Sequence, residues 1–334
     1  MKFGVTILPE NLAKLPARAR LAEDVGFDYL GIAESQSLFR ELYVSLSVVA
    51  QATRKARIGP TVSNPLTRHP AVTASAIASV NELSGGRAFL GIGTGDSAVL
   101  NLDLRPARLA QLKEYISAVR AVLSGQSYQY QNRSIHVGWS REVVPVLVSA
   151  EGPKTLAMAG AEADAVLVHT GLTPEVLQDS IARIREGERA AGKPEGSTGV
   201  WAFAKCSIAD RREQAIDEIK MALAGSAHHA FRFTLEGKHV PEALREPIST
   251  LFREYVPAQH EQLGQTRNAV LSDELGLTDY LANRFAVAGT PPQCREKTQA
   301  IQQAGVEVLF VTSYGTQQEE TIRRFGREVI AHFR

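Results

Sequence analysis

The chain has 334 residues, with 37 Lys plus Arg against 36 Asp plus Glu, a net formal charge of +1. That balance provides no field to draw nucleic acid or an anionic membrane, which leaves a small-molecule substrate as the expected partner. Cys206 and Cys294 are its two cysteines and lie far apart, which excludes a disulfide framework and a thiolate zinc site. The N-terminus enters a strand pattern with no signal-type apolar region, and no apolar run approaches ~18 residues, so a cytoplasmic protein without a membrane span is expected.

Short apolar runs alternate with helical patterns from end to end, the mark of repeated βα units and a parallel sheet buried on both faces. Residues 3–8 read as the first strand. The following segment places Leu12, Leu15, Ala19, Ala22 and Val25 at helical spacing, with Gly26 as the stop. Residues 28–33 with the helix 41–53, and 56–62 with a helix rich in Ala, Val and Ile ending at Leu83, form the next two units. Residues 87–92 are the fourth strand, backed by a helix over 105–123, and 128–137 alternates as a polar hairpin. Strands at 144–150, 164–169, 199–208 and 306–313 complete a set of eight. Eight such units in this length predict a (β/α)8 TIM barrel forming one domain over residues 1–334. Residues of about 230–281 are polar and punctuated by proline, and read as a helical insertion between strands seven and eight. No strand is expected after it, before the helix around 292–303.

In such a barrel the chemistry sits at the carboxyl ends of the strands. That filter selects Thr6, Leu8, Glu34, Ser35, Thr61 to Asn64, Gly93 to Ser97, Ser149 to Lys154, His169, Thr170, Lys205 and Thr312 to Tyr314. The most informative stretch is the fourth strand running into Gly93-Thr94-Gly95-Asp96-Ser97. Its paired glycines permit positive φ and a close approach of backbone to a flat or charged group, although an ordinary strand-to-helix turn has the same look. In Ser149-Ala150-Glu151-Gly152-Pro153-Lys154 a strand ends, a Gly-Pro pair turns and a helix opens, which suits a phosphate or merely a capped helix. Glu34 and His169 stand at strand ends where a carboxylate and an imidazole can handle a proton. His69, at a helix start, reads as a capping group. No histidine pair has the i, i+4 spacing of a metal site, and neither a Gly-x-Ser-x-Gly elbow nor a Walker loop occurs.

Four segments together, 61–70 (TVSNPLTRHP), 84–96 (SGGRAFLGIGTGD), 152–156 (GPKTL) and 287–291 (VAGTP), resemble the luciferase-like flavin-dependent oxidoreductase superfamily over almost the whole chain. Within it the chain is most similar to the branch containing methylenetetrahydromethanopterin reductase, which uses the deazaflavin coenzyme F-420. The resemblance implies a (β/α)8 barrel with a late insertion, a homo-oligomer, and FMN or the deazaflavin held at the strand ends. It places Thr61 and Val62 behind the isoalloxazine, where the family often has a cis peptide. It makes Thr6, Thr61, Val62, Asn64, Gly93, Thr94, Gly95, Asp96, Ser97, Ser149, Gly152, Pro153 and Lys154 the expected cofactor contacts and Glu34 and His169 the expected catalytic groups. Thr6 stands where the reductase branch has a Glu, and Glu34-Ser35 where it has an Asp-His-like pair. Those departures put a monooxygenase using reduced FMN, supplied by a flavin reductase, narrowly ahead of a deazaflavin-dependent hydride-transfer enzyme. A non-catalytic flavin-binding barrel is the third reading.

Overall fold

The computed structural model describes residues 1–231, 234–256, 259, 264, 266–314 and 318–334. The fold is of the (β/α)8 class, with the helical insertion late in the chain. By density of contacts the chain divides into two compact units, residues 4–167 with 183–199, and residues 1–3 with 168–182 and 200–334.

The first unit holds most or all of β1 (Lys2–Ile7), β2 (Tyr29–Ile32), β3 (Arg57–Pro60), β4 (Leu90–Ile92), β5 (Tyr128–Tyr130), β6 (Arg133–Ile135), β7 (Val146–Ala150) and β8 (Ala165–Val168). β1 and β2 pair in parallel with Thr6 opposite Gly31, and β2 and β3 with Gly31 opposite Gly59. β4 pairs with β7, and β5 with β6 form the antiparallel hairpin expected at 128–137. Apolar burial on both strand faces drives this assembly, with Ile7, Leu30, Ile32, Ile58 and Phe89 all withdrawn from solvent. Where β3 approaches β4 the backbones nearly touch: a Cβ on Gly59 would lie 2.1 Å from the Phe89 carbonyl oxygen, and one on Gly91 2.1 Å from that of Pro60. Only glycine fits there.

Helix ends follow their local chemistry. The helix Pro70–Ser84 opens with proline at N1 and with His69 Nδ1 accepting from the Ala71 N–H, the capping role the sequence suggested. It closes on Gly85 at φ 68°. The helix expected from residue 105 instead starts at Leu109, with a separate short turn at Ser97–Leu100 before it.

The second unit carries β9 (Gly199–Ile208) from Val200 onward, β10 (Ala286–Gly289) and β11 (Val308–Ser313). β11 pairs in parallel with the Trp201–Cys206 part of β9. β10 pairs with its carboxyl end, Ala286 opposite Lys205 and Gly289 opposite Ile208. This strand corrects the expectation that none precedes the next helix, which runs Pro291–Gln303. Its apolar run is short and ends in glycine, so on sequence alone it merged with the helix opening. Four helices, Lys220–Phe231, Arg245–Glu254, Arg267–Glu274 and Thr278–Phe285, give the insertion its helical character. Residues 232, 233, 257, 258, 260–263 and 265 of that expected stretch lie outside the described residues. Buried Arg284 pins this region by donating to the carbonyls of Thr170 (3.1 Å), Lys238 (2.7 Å) and His239 (3.3 Å) and to the Tyr280 hydroxyl (3.0 Å). Among the described residues no helix is long and apolar enough to cross a membrane.

Candidate active site

In the first unit the strand ends bring most of the expected cofactor contacts together. The hydroxyls of Thr6 and Thr61 are 2.9 Å apart. The Thr61–Val62 peptide is cis, as the resemblance implies. Val62 lies across the glycines of β4: a Cβ on Gly91 would be 3.2 Å and one on Gly93 3.3 Å from its methyl carbons, with Ser149 Cβ 3.5 Å from the latter. The Ser63 N–H donates to the Gly91 carbonyl and the Gly93 N–H to that of Ser63, both at 2.9 Å. Gly93 therefore serves close packing against Val62 and Ser149, whereas Gly95 does use positive φ, at 100°.

The neighbouring polar residues are partly spent on the turn itself. Asn64 Oδ1 accepts from the N–H groups of Leu66 (2.9 Å) and Thr67 (3.0 Å). The Thr94 carbonyl accepts from Ala107, and the Asp96 carbonyl from Val99 and Leu100, which starts the turn at Ser97. Beyond β7, Gly152 opens the helix Pro153–Glu162 with no side chain capping it, and a Cβ there would meet nothing within 4 Å. Lys154 in its first turn is exposed. Uncapped N–H groups, open space and a cation are what an anionic group needs.

Glu34, just past β2, is held in a network that the sequence did not reveal. Arg68 donates through Nη1 to Glu34 Oε1 and through Nη2 to Glu41 Oε1 at 2.6 Å, with its guanidinium 5.1 Å from the Tyr43 ring centre. The Tyr115 hydroxyl donates to the Arg68 carbonyl (3.0 Å) and lies 2.6 Å from that of Thr73. Burial draws the Arg68 pKa down, but the carboxylates of Glu34 and Glu41 outweigh it and raise it overall. The Glu34 side chain is 5% exposed, yet its Oε2 has no partner among the described residues; neither do the buried hydroxyls of Ser35 and Ser63. The only sequence trace of Arg68 was its place in the loop motif, because its partner is 34 positions away.

His169 follows β8 in the second unit. It stacks on Phe203 with ring centres 4.4 Å apart, and its buried Nε2 has no partner among the described residues. Desolvation of the ring, followed by the charges of Lys205 and His229, pushes its pKa down to about 3. The ring is therefore neutral near pH 7, a single donor and acceptor. Lys205 Nζ lies 2.6 Å from the Tyr314 hydroxyl, both buried, and Thr312 Oγ1 is buried without a partner among the described residues. Among the described residues no group of His, Cys, Asp and Glu could hold a metal ion.

The sequence pattern of the luciferase-like monooxygenase family matches residues 1–307. The chain belongs to this family. It is 30% identical to a 5,10-methylenetetrahydromethanopterin reductase of Methanolobus tindarius, over 99% of the chain and 100% of that protein. It is 26% identical to an F420-dependent glucose-6-phosphate dehydrogenase of Kineococcus radiotolerans, over 99% of the chain and 96% of that protein. The solved coenzyme F420-dependent tetrahydromethanopterin reductase of Methanopyrus kandleri superposes with a TM-score of 0.80 at 26% identity, covering 100% of the chain and 99% of that structure. This family member is an oxidoreductase of the flavin- or deazaflavin-dependent kind, acting on a small molecule. The relatives favour the deazaflavin reading over the FMN monooxygenase that the sequence departures at Thr6 and Glu34-Ser35 had put first.

Proposed function

We propose that the chain is a coenzyme F420-dependent oxidoreductase that exchanges a hydride with a small organic substrate. The observation that carries this reading is similarity along the full length to reductases named for that chemistry. The bound deazaflavin would supply the carbon that gives or takes the hydride. The residues present suit it. Val62, Ser63 and the Gly93 backbone, fixed by the contacts around β3 and β4, offer a rigid wall for a flat ring. The open helix start at Gly152 with Pro153 and Lys154 offers N–H groups and a cation to a phosphate. The buried Ser35 and Ser63 hydroxyls and Glu34 Oε2, without partners among the described residues, are groups that can hydrogen-bond to the deazaflavin. Glu34 is the group we assign to the proton, and His169, as a neutral ring, to a hydrogen bond. The same reading takes the chain as one cytoplasmic domain over residues 1–334, homo-oligomeric, with its insertion at about 230–281.

Separate fluorescence titrations of the purified chain with F420 and with FMN test the cofactor. Saturable binding of F420, at least about tenfold tighter than FMN, is expected, which is about 1.4 kcal/mol. Tighter binding of FMN would overturn the proposal and restore the monooxygenase with its flavin reductase.

A further inference from the structure

We infer that Thr61 is a ligand-binding residue whose hydroxyl donates to a carbonyl oxygen, and that Thr6 is the positioning residue that fixes and strengthens this donor. The inference rests on the reading of these strand ends as the ligand site of the proposed oxidoreductase.

The pair is built across a glycine. Thr6 on β1 stands opposite Gly31 on β2, which in turn stands opposite Gly59 on β3. Thr61, just past β3, donates its N–H to the Ile32 carbonyl at 2.9 Å and lays its side chain back over Gly31. A Cβ on Gly31 would collide with both the hydroxyl and the methyl group of Thr61. The missing side chain lets Thr61 reach across the middle strand to Thr6, where the two hydroxyl oxygens are 2.9 Å apart. Among the described residues neither hydroxyl has a second partner.

Counting hydrogens sets the direction of the bond. Two hydroxyls carry two protons, and the bond between them uses one. Thr6 is 4% exposed, whereas Thr61 is only partly buried. If Thr61 donated, the spare proton would sit on Thr6 as a buried donor without an acceptor, which is the costly arrangement. Thr6 therefore donates, and the spare proton belongs to Thr61, where a ligand can reach it. A hydroxyl that already accepts a hydrogen bond is polarised into a better donor. Branching at Cβ leaves Thr61 few χ1 choices and the bond from Thr6 selects one, so the donor is held in place. The pair itself is uncharged, and a phosphate or carboxylate draws charge-assisted donors instead. One neutral O–H suits one carbonyl oxygen, which either the cofactor ring or the substrate can supply.

Two measurements on the full-length protein test this. Neutron diffraction of the deuterated protein without added ligand should show the Thr6 deuteron on the line to Thr61 Oγ1; a Thr61 deuteron on that line overturns the inference. Titrations with F420, FMN and cyclohexanone then identify the acceptor. Thr61→Val should weaken at least one of the three about fivefold, the loss of one neutral hydrogen bond, while Thr61→Ser, which keeps the donor, should stay within about twofold of the parent. Equal losses for F420 and FMN assign the carbonyl to the ring, and a loss for cyclohexanone alone assigns it to the substrate. Thr6→Val should weaken the same ligand about twofold in the parent and not at all in Thr61→Val, because Thr6 acts through its partner. Unchanged affinity for all three ligands in Thr61→Val overturns the inference, as does an undiminished Thr6→Val loss in that background. A chain that binds FMN but not F420 sinks the proposed cofactor and leaves the dependence on Thr61 standing. A parent that binds none of the three overturns both readings.

Discussion

Two glycine-bearing turns flank β4, and they are put to opposite uses. Before the strand, Gly85 and Gly86 adopt positive φ and hand the chain to Arg87. That guanidinium donates to the carbonyls of Ser84 (2.7 Å), Ala56 (2.6 Å), Ala50 (3.0 Å) and Thr53 (3.0 Å) and to the Thr53 hydroxyl (3.0 Å). Glu23 completes this end by accepting from the N–H groups of Arg54, Lys55 and Ala56. After the strand, the turn from Gly93 to Asp96 lies next to Ser63, whose buried hydroxyl has no partner among the described residues. Glycine density alone therefore does not mark a site. A structural turn spends its polar atoms on the fold, while a candidate site keeps some in reserve.

Substitutions on either side should separate these uses. The largest effect is expected from Arg87→Ala, which strands several carbonyls at once and should cost about 3 kcal/mol or more in denaturant unfolding. Cofactor affinity, measured on the folded fraction, should stay within about twofold; a large loss would erase the contrast. Gly91→Ala places a methyl against the Pro60 carbonyl and should cost about 2 to 3 kcal/mol in the same assay. Gly152→Ala, facing open space, should change stability by less than about 0.5 kcal/mol.

The fourth expectation concerns pH. The unfolded chain protonates His169 near its ordinary 6.5, but the folded chain does so only near 3. The unfolded state thus binds more protons in that window. His169's contribution is complete above about pH 6.5 and is lost as pH falls toward 3, at about 1.4 kcal/mol per unit. His169→Gln should flatten unfolding free energies between pH 6.5 and 4.5 relative to the parent; parallel curves would show that the ring is not buried neutral. A change in binding alone is expected at exposed Lys154, where Ala should weaken F420 binding by about 1 kcal/mol with no change in stability. An unchanged dissociation constant would move the phosphate away from that helix.

The repeating layout was legible because parallel strands buried on both faces leave continuous apolar runs, as at Val146–Ala150 and Ala165–Val168. β10 was not legible, since Ala286–Gly289 supplies too few apolar residues to outweigh the Pro291 helix start beside it. Strand ends pointed to Glu34, Thr6 and His169, but not to what each one touches. The meeting of Thr6 with Thr61, or of Glu34 with Arg68, depends on register and loop path across tens of residues. Gly93 shows the same limit: its identity was readable, while its reason, the neighbouring Val62 side chain, belongs to the fold.

The Arg284 clamp separates the mounting of the insertion from its contents. It ties Lys238 and His239 at the start of the insertion to Thr170 beyond β8, and it sits one residue before the helix Thr278–Phe285 gives way to β10. The insertion's departure and return are thereby fastened independently of what lies between them. A change within such a segment leaves its two ends where they are, so long as Arg284 and its carbonyl partners are retained.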